Sequence, residues 1–314
     1  MTIKDLAENL KGYESALIFC HHRPDGDTLS CAFALKKAYE ILGAKADVVS
    51  VDGVPEKYAS VGYFNDFMTE GVDGYGVYIA VDCAASDMLG KNERFFLKQK
   101  NTVVIDHHAT NTRYGKVNYV ETLASCSMNV YALIKEWSVA ITKELAEIIL
   151  LGLVTDTGNF EHSNTDSLAL RTAAELIDYG ADLTEINKKM FKSQTKARAE
   201  LYIEVMSKAR YYHDDRFAII YTSKKMLDDR KLERADTEGF VDFPMTIGSV
   251  EVTAAIMESG KDAYKISLRS KNVNVAEIAQ TFGGGGHKNA SGFMLFGFFE
   301  DVIDKLVFTV GNYL

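Results

Sequence analysis

Four short segments of this chain gather acidic and imidazole side chains, and each closes an apolar run. The first is His21-His22-Arg23-Pro24-Asp25-Gly26-Asp27, directly behind SALIFC. The second is Asp82, at the end of VYIAV. The third is Asp106-His107-His108, ending TVVI, and the fourth is Thr155-Asp156-Thr157-Gly158-Asn159-Phe160, after IILLGLV. Carboxylates mixed with imidazoles suit Mn2+, Mg2+ or Zn2+, and metal-assisted hydrolysis is the chemistry such a set supports. Asp25 and Asp27 stand two apart in a segment that Pro24 and Gly26 keep turned rather than helical. They can therefore diverge toward two different ions.

Each cluster also has a plainer explanation. Asp25 could be the N-cap of the following helix, at about even odds. Asp82 could open a loop through an Asx-turn, which on its own is the better reading. Paired histidines do occur on surfaces, though not usually bounded by a buried strand. Thr155–Phe160 could be a helix C-terminal loop, with Gly158 taking an unusual backbone angle. Four such clusters at the ends of four apolar elements are jointly much harder to explain that way. Brought together, the carboxylates would repel unless paired with cations, and metal is the simplest cation that fits.

The elements that must position these residues alternate in the first half. Ser15–His22, Ala46–Val51, Val77–Val81 and Thr102–Ile105 read as strands, and Thr28–Leu42, Ala124–Ser138 and Lys143–Val154 as helices. This alternation predicts an α/β fold with a doubly wound, mostly parallel sheet. Sites in such sheets form at the carboxyl ends of the strands, so the first three clusters should share one rim. Helices are expected at Ser167–Asp178, with Gly180 as a C-cap, at Thr184–Phe191 and at Thr195–Arg210. The last carries mixed charge and few large apolar residues, as a solvated connector would. From Arg216 onward Phe217–Tyr221, Val250–Met257 and Tyr264–Leu268 alternate like strands of a mixed sheet, with helices at Val275–Phe282 and Phe299–Val310. The expected domains are 1–190 (catalytic, metal-binding), 191–212 (helical linker) and 213–314 (a smaller α/β, substrate-binding domain).

Composition narrows the classes. A chain of 314 residues suggests two domains, and 47% hydrophobic with 25% charged residues is near the globular average. No run of eighteen apolar residues exists, and the N-terminus MTIKDLAENLKGYES lacks the apolar core of a secretory signal. The expectation is a soluble, cytoplasmic protein with no membrane partner. Cys20, Cys31, Cys83 and Cys126 form no C-x-x-C pair and read as small buried hydrophobes; thiolates suit softer metals than these carboxylates imply. A net charge of −9 argues against long duplex nucleic acid but not against a small phosphorylated ligand.

One motif lies outside the first half. Gly283-Gly284-Gly285-Gly286-His287 is followed by Lys288-Asn289-Ala290-Ser291-Gly292. Such glycines let a backbone approach a phosphate and point N–H groups at it. The alternative, a flexible hairpin or linker, is disfavoured because the run sits between a helix and the apolar FMLF, with a histidine immediately after.

In this order the motifs resemble the DHH phosphoesterase family, named for the triplet seen here as Asp106-His107-His108, and the resemblance covers nearly the whole chain. It implies one metal held by His21, Asp25 and Asp82 and another held by Asp27, Asp82, His107 and Asp156, with Asp82 bridging. Asp106 would orient a histidine, and His108 would face the substrate phosphate; His22 receives no role. Two Mn2+ are implied, with Mg2+, Co2+ or Zn2+ as substitutes, and together they would acidify a shared water. The glycine run with His287, Ala290 and Gly292 resembles the GGGH-x-x-A-x-G pattern of the first type of DHH-associated domain. Arg269, in Lys265–Ser270, would then clamp a phosphate beside Gly284, Gly285, Gly286 and His287.

That second domain favours short nucleotides over inorganic pyrophosphate, since the pyrophosphatases of the family lack GGGH. The compact form resembles the bifunctional oligoribonuclease and 3′-phosphoadenosine-5′-phosphate (PAP) phosphatase group. The implied partners are short oligonucleotides, dinucleotides such as pApA, or nucleoside bisphosphates, with room left for a homodimer. A cyclic di-AMP phosphodiesterase is the alternative; a non-catalytic nucleotide sensor fits less well because the ligand set is intact. Glu161 stands where a basic or aromatic residue is more usual after this motif. His162 and His213 read as loop and solvated residues.

Overall fold

Residues 1–314 are described in a computed structural model. Its two compact units are Met1–Ser193 and Gln194–Leu314. The first unit runs α1 (Ile3–Lys11), β1 (Ser15–Phe19), α2 (Gly26–Ile41), β2 (Lys45–Val49), α3 (Glu56–Ala59), β3 (Val77–Val81), α4 (Glu93–Lys98), β4 (Thr102–Asp106) and β5 (Val117–Val120). Helices α5 (Cys126–Glu136), α6 (Lys143–Asp156), α7 (Ser167–Asp178) and α8 (Leu183–Phe191) complete it.

The strands form one sheet in the order β2-β1-β3-β4-β5, parallel throughout. Because side chains alternate across a strand, β1 sends Ala16 and Ile18 to one face and Leu17 and Phe19 to the other. Both faces are buried. Ala16, Ile18, Val77, Ile79 and Val103 join a core with residues of α1, α2, α5 and α6. Leu17, Phe19, Tyr78, Ala80 and Val104 pack on the opposite side with Leu89 and Phe96. Two-sided burial is why the strands read as unbroken apolar runs rather than alternating ones. Helices α2 and α6 lie deep: every residue from Gly26 to Lys36 and from Leu145 to Val154 is buried.

The segment before α2 differs from its sequence reading. Gly26 is the first residue of the helix, with Asp25 its N-cap, so the chain is helical by Asp27 rather than still turning. A β-carbon at Gly26 would overlap the Thr155 side chain, so glycine here serves the packing of α2 on α6.

The second unit runs α9 (Lys196–Ser207), β6 (Arg210–Tyr212), β7 (Phe217–Thr222), α10 (Lys224–Asp228), β8 (Val252–Gly260), β9 (Ala263–Ser270), α11 (Val275–Thr281), β10 (Gly285–His287), β11 (Ala290–Phe296) and α12 (Phe299–Gly311). Its sheet order is β10-β11-β9-β8-β7-β6; β7 and β8 are parallel and every other neighbouring pair is antiparallel, which makes a mixed sheet. Helix α9 is not the solvated connector its composition suggests. Leu201 and Val205, one turn apart, are fully buried against Ile220, Leu227 and Phe240. Two well-placed apolar residues, with Tyr202 and Met206 packed beside them, anchor a helix that also carries Lys196, Arg198, Glu200 and Glu204.

The glycine run is also not what was expected. It is a hairpin: Gly285, Gly286 and His287 pair with Gly292, Ser291 and Ala290. A β-carbon on Gly284 would strike the Gly292 carbonyl and Phe293, and one on Gly286 the backbone of Ala290 and Ser291. At these two positions close packing of β10 on β11 already requires glycine.

Candidate metal centre

In the order β2-β1-β3-β4-β5 the connections change direction between β1 and β3, and the crevice beyond their carboxyl ends is where such sheets bind ligands. His21 follows β1, Asp82 follows β3, and Asp106 and His107 end and follow β4. Asp27 comes in from the first turn of α2 and Asp156 from the last residue of α6. Asp82 holds a left-handed φ of 56°. For a non-glycine residue that is strained by roughly 1 kcal/mol or more, and strain of this kind collects where a side chain must be aimed.

His21 and His107 are each fixed from behind. His21 Nδ1 donates to the His22 carbonyl at 2.8 Å, and His107 Nδ1 donates to the Leu123 carbonyl at 3.0 Å. This leaves each Nε2 with its lone pair free for a metal. His21 Nε2 lies 3.6 Å from Asp25 Oδ1 and 3.7 Å from Asp82 Oδ2. His107 Nε2 lies 3.4 Å from Asp82 Oδ1 and 3.8 Å from Asp156 Oδ2. Asp82 therefore offers one oxygen to each imidazole. Four groups of three are close enough to share an ion: His21 with Asp25 and Asp82, Asp27 with His107 and Asp156, Asp82 with His107 and His108, and Asp82 with Asp106 and Cys126.

Both the separations and the unpaired atoms fit a divalent cation. Ligands bonded to one ion at about 2.0–2.2 Å stand roughly 3–3.5 Å from each other, whereas good hydrogen bonds are shorter than these N–O gaps. Asp82 Oδ1 and Asp156 Oδ2 are buried with no hydrogen-bond partner. Buried polar atoms are normally paired, so two orphans in one cluster mark a cation site.

Electrostatics agree. Burial, with Asp82 and Asp156 nearby, pushes the Asp27 carboxyl well above its ordinary range. Burial also raises Asp82, against the pull of His107. Asp156 is raised to about 6, by burial against His107 and with Asp82 adding to the rise. Burial alone would depress the imidazoles, but the carboxylates overcome it, holding His21 at about 9 and His107 at about 10. Protons thus stand in this cluster where cation charge is needed.

Asp25 and Asp27 have second duties. Asp25 Oδ1 caps α2, accepting from the N–H groups of Asp27 and Thr28 at 3.0 and 3.1 Å. The N-cap explanation and the metal-ligand placement thus hold together. Asp27 accepts from the N–H groups of Cys126 at 2.6 Å and Ser127 at 3.0 Å, the first turn of α5. Ser125, the N-cap of α5, makes no side-chain cap itself.

Asp106 is fully buried, and its Oδ1 accepts from His108 Nδ1 at 2.8 Å while its Oδ2 accepts from Asn111 Nδ2 at 2.6 Å. The pair turns His108 Nε2 outward, and Asp106 raises the His108 pKa. His22 is tied to the Met88 carbonyl by its Nδ1 at 3.0 Å and is not among the grouped ligands. All four cysteines are free and buried, and burial lifts the Cys126 thiol to about 12, so it stays protonated beside Asp82 and Asp106.

In the second unit, register places Arg269, Ala290 and His287 in one row across β9, β11 and β10. Neighbouring strands are about 4.8 Å apart, so Arg269 and His287 share a face roughly 10 Å apart. Arg269 Nε faces Asp242 Oδ1 at 3.4 Å, and His287 is exposed.

Several supporting groups left no trace in the sequence reading. The Cys126 and Ser127 N–H groups and the Leu123 carbonyl are backbone atoms of unremarkable residues. Asn111, five residues past Asp106 in a polar loop, had only its amide chemistry to single it out.

The comparisons match this division. The model of the DHH family, N-terminal domain, matches residues 15–153, and that of the DHHA1 domain matches residues 218–314. A probable bifunctional oligoribonuclease and PAP phosphatase NrnA from Streptococcus mutans is 28% identical over 293 residues, covering 92% of this chain and 92% of the relative. The bifunctional oligoribonuclease and PAP phosphatase NrnA of Thermus thermophilus is 29% identical over 299 residues, covering 93% and 88%. A crystal structure of an exopolyphosphatase-related protein from Bacteroides fragilis shares the fold, with a TM-score of 0.89 at 24% identity over 99% of this chain and 96% of that one. A first unit that matches the DHH model and gathers acidic and imidazole side chains, followed by a DHHA1 domain, leaves one assignment: the chain belongs to the DHH family and is a metal-dependent phosphoester hydrolase.

Proposed function

We propose that this protein is a manganese-dependent phosphodiesterase and phosphatase of short nucleotides. Its substrates are short oligoribonucleotides, linear dinucleotides such as pApA, and PAP; water adds across a P–O bond and, from the oligonucleotides, a nucleoside 5′-monophosphate leaves. The observation that carries the reading is the placement of Asp82, with one oxygen toward His21 and the other toward His107. The choice of substrate is supported by the relatives matched along about nine-tenths of this chain, which are named as oligoribonuclease and PAP phosphatase.

In this reading His21, Asp25 and Asp82 hold one divalent ion and Asp27, Asp82, His107 and Asp156 the other. When bound, the ions acidify water and offset the charge that builds on the phosphoryl oxygens. His108, its Nδ1 held by Asp106, presents Nε2 to the phosphate and can donate a proton to an oxygen there. Arg269, Gly284, Gly285, Gly286 and His287 contact the substrate from the DHHA1 unit, Arg269 by a charged, bidentate contact suited to phosphate.

A side-by-side assay with manganese tests this. The protein should hydrolyse a pNpN dinucleotide, a trinucleotide and PAP. Faster turnover of cyclic di-AMP than of any of these would replace the reading with a cyclic-dinucleotide phosphodiesterase, and hydrolysis of none of the four would exclude both.

A further inference from the structure

The loop after Asp156 does more than end a helix. Asn164 uses one amide nitrogen for two hydrogen bonds: Nδ2 donates to the Ala124 carbonyl at 2.9 Å and to the Asp156 carbonyl at 3.2 Å. The first acceptor immediately precedes the Ser125 cap and first turn of α5, whose N–H groups hold Asp27. The second is the main chain of Asp156 itself. One side chain thus links the two elements that set Asp27 and Asp156, which with His107 make up one ion group.

The same carbonyl receives a second side chain. His162 Nδ1 donates to the Asp156 oxygen at 3.3 Å, and its ring lies so close over Gly158 that any β-carbon there would overlap it. The intervening residues Gly158, Asn159 and Phe160 have φ of 55°, 59° and 65°. A chain held left-handed over three residues returns sharply enough to bring His162 and Asn164 back onto the helix end. The last carbonyls of a helix have no partner within it and take side-chain donors. Here those donors fall on a residue whose carboxylate belongs to the cluster.

The geometry assigns Asn164 as a positioning residue that fixes the separation of Asp27 and Asp156 and so tunes the affinity of that group for its ion. This rests on the proposed two-ion reading of the cluster. His162 supports the same carbonyl from the other side, at a longer distance and without the second bridge. Asn164 itself is exposed, so its replacement removes no core packing.

The test is manganese binding to the full-length, EDTA-stripped protein, read by the electron paramagnetic resonance signal of free Mn2+. Asn164→Leu keeps side-chain size and removes both donors; Asn164→Ala is the second variant, and Ser163→Ala controls for disturbance of the loop. Both Asn164 variants should weaken one of the two binding steps by about 10–100-fold and leave the other unchanged, as loss of a group that orients a metal ligand does. Ser163→Ala should bind as the wild type does. Turnover of the Asn164 variants should recover as manganese is raised, a recovery that general loosening of the fold would not give. Wild-type protein that binds manganese while both Asn164 variants bind it equally well would overturn the role of Asn164 alone. Wild-type protein that takes up no manganese would overturn the ion reading and this inference with it.

Discussion

The carboxylate of Asp27 accepts hydrogen bonds from the Cys126 N–H at 2.6 Å and the Ser127 N–H at 3.0 Å, so a residue on α2 caps a helix that begins 99 positions later. When ionised, it puts a negative charge at the positive end of α5, where charge of that sign is favoured. The same carboxylate faces His107 and Asp156. Structural and chemical demands meet on one side chain, and substitutions can separate them.

Asp27→Ala removes both acceptors and should destabilise the metal-free protein by about 1–2 kcal/mol, the range for loss of a helix cap. Asp27→Asn keeps one acceptor and should lose less than half as much. Urea denaturation with EDTA present reads both. Equal stability of the alanine variant and the wild type would show that the cap contributes nothing net.

Metal should reverse the effect of pH on stability. His21 at about 9 and His107 at about 10 lie above the ordinary imidazole value, so the stability they give is full below about 6.5 and lost as pH rises through those values. Asp156, raised to about 6, acts in the same direction, because its folded form prefers the proton. Metal-free protein should therefore melt at a lower temperature at pH 9 than at pH 6. Metal ligands must shed their protons, so manganese should stabilise more at pH 9 than at pH 6 and release protons as it binds. Thermal melts with EDTA and with manganese at the two pH values check this, and a manganese shift that shrinks with pH would contradict it.

Asp106→Asn should lower kcat about 10–100-fold while metal content stays near that of the wild type, because Asp106 acts by holding His108. Metal analysis beside steady-state kinetics separates this from loss of an ion.

Arg269→Ala should raise KM for a dinucleotide about 10–100-fold, the loss of one or two charged hydrogen bonds, with little change in metal content. Unchanged kinetics would remove Arg269 from the substrate contacts.

The site was legible where chemistry coincided with the ends of strands. His21, Asp82 and Asp106 each close an apolar run, and a parallel sheet must bring such ends to one rim. Strand β5 escaped notice because Val117–Val120 is a short edge strand, buried at only one position, and so lacks an apolar signature. Gly26 was read only as keeping its segment turned and the glycine run only as approach to a ligand; the packing role each also has, room for Thr155 at one place and for β11 at the other, rests on contacts distant in sequence. Leu201 and Val205 were too few to mark α9 as packed until Ile220 and Phe240 stood against them. The partners of Asp27 and the double bridge of Asn164 span long stretches of chain through backbone atoms, which no local pattern encodes.

In the proposed two-ion reading, Asp82 is the one residue that belongs to both ion groups. Asp82→Asn keeps its shape and tolerates the left-handed backbone, but it removes the charge shared between His21 and His107. The direct measurement is dinucleotide hydrolysis by this variant with manganese, beside its manganese content. Turnover at the level of the EDTA-treated wild type, with less manganese retained, is the result expected; near-normal turnover with full metal content would contradict a centre built on Asp82.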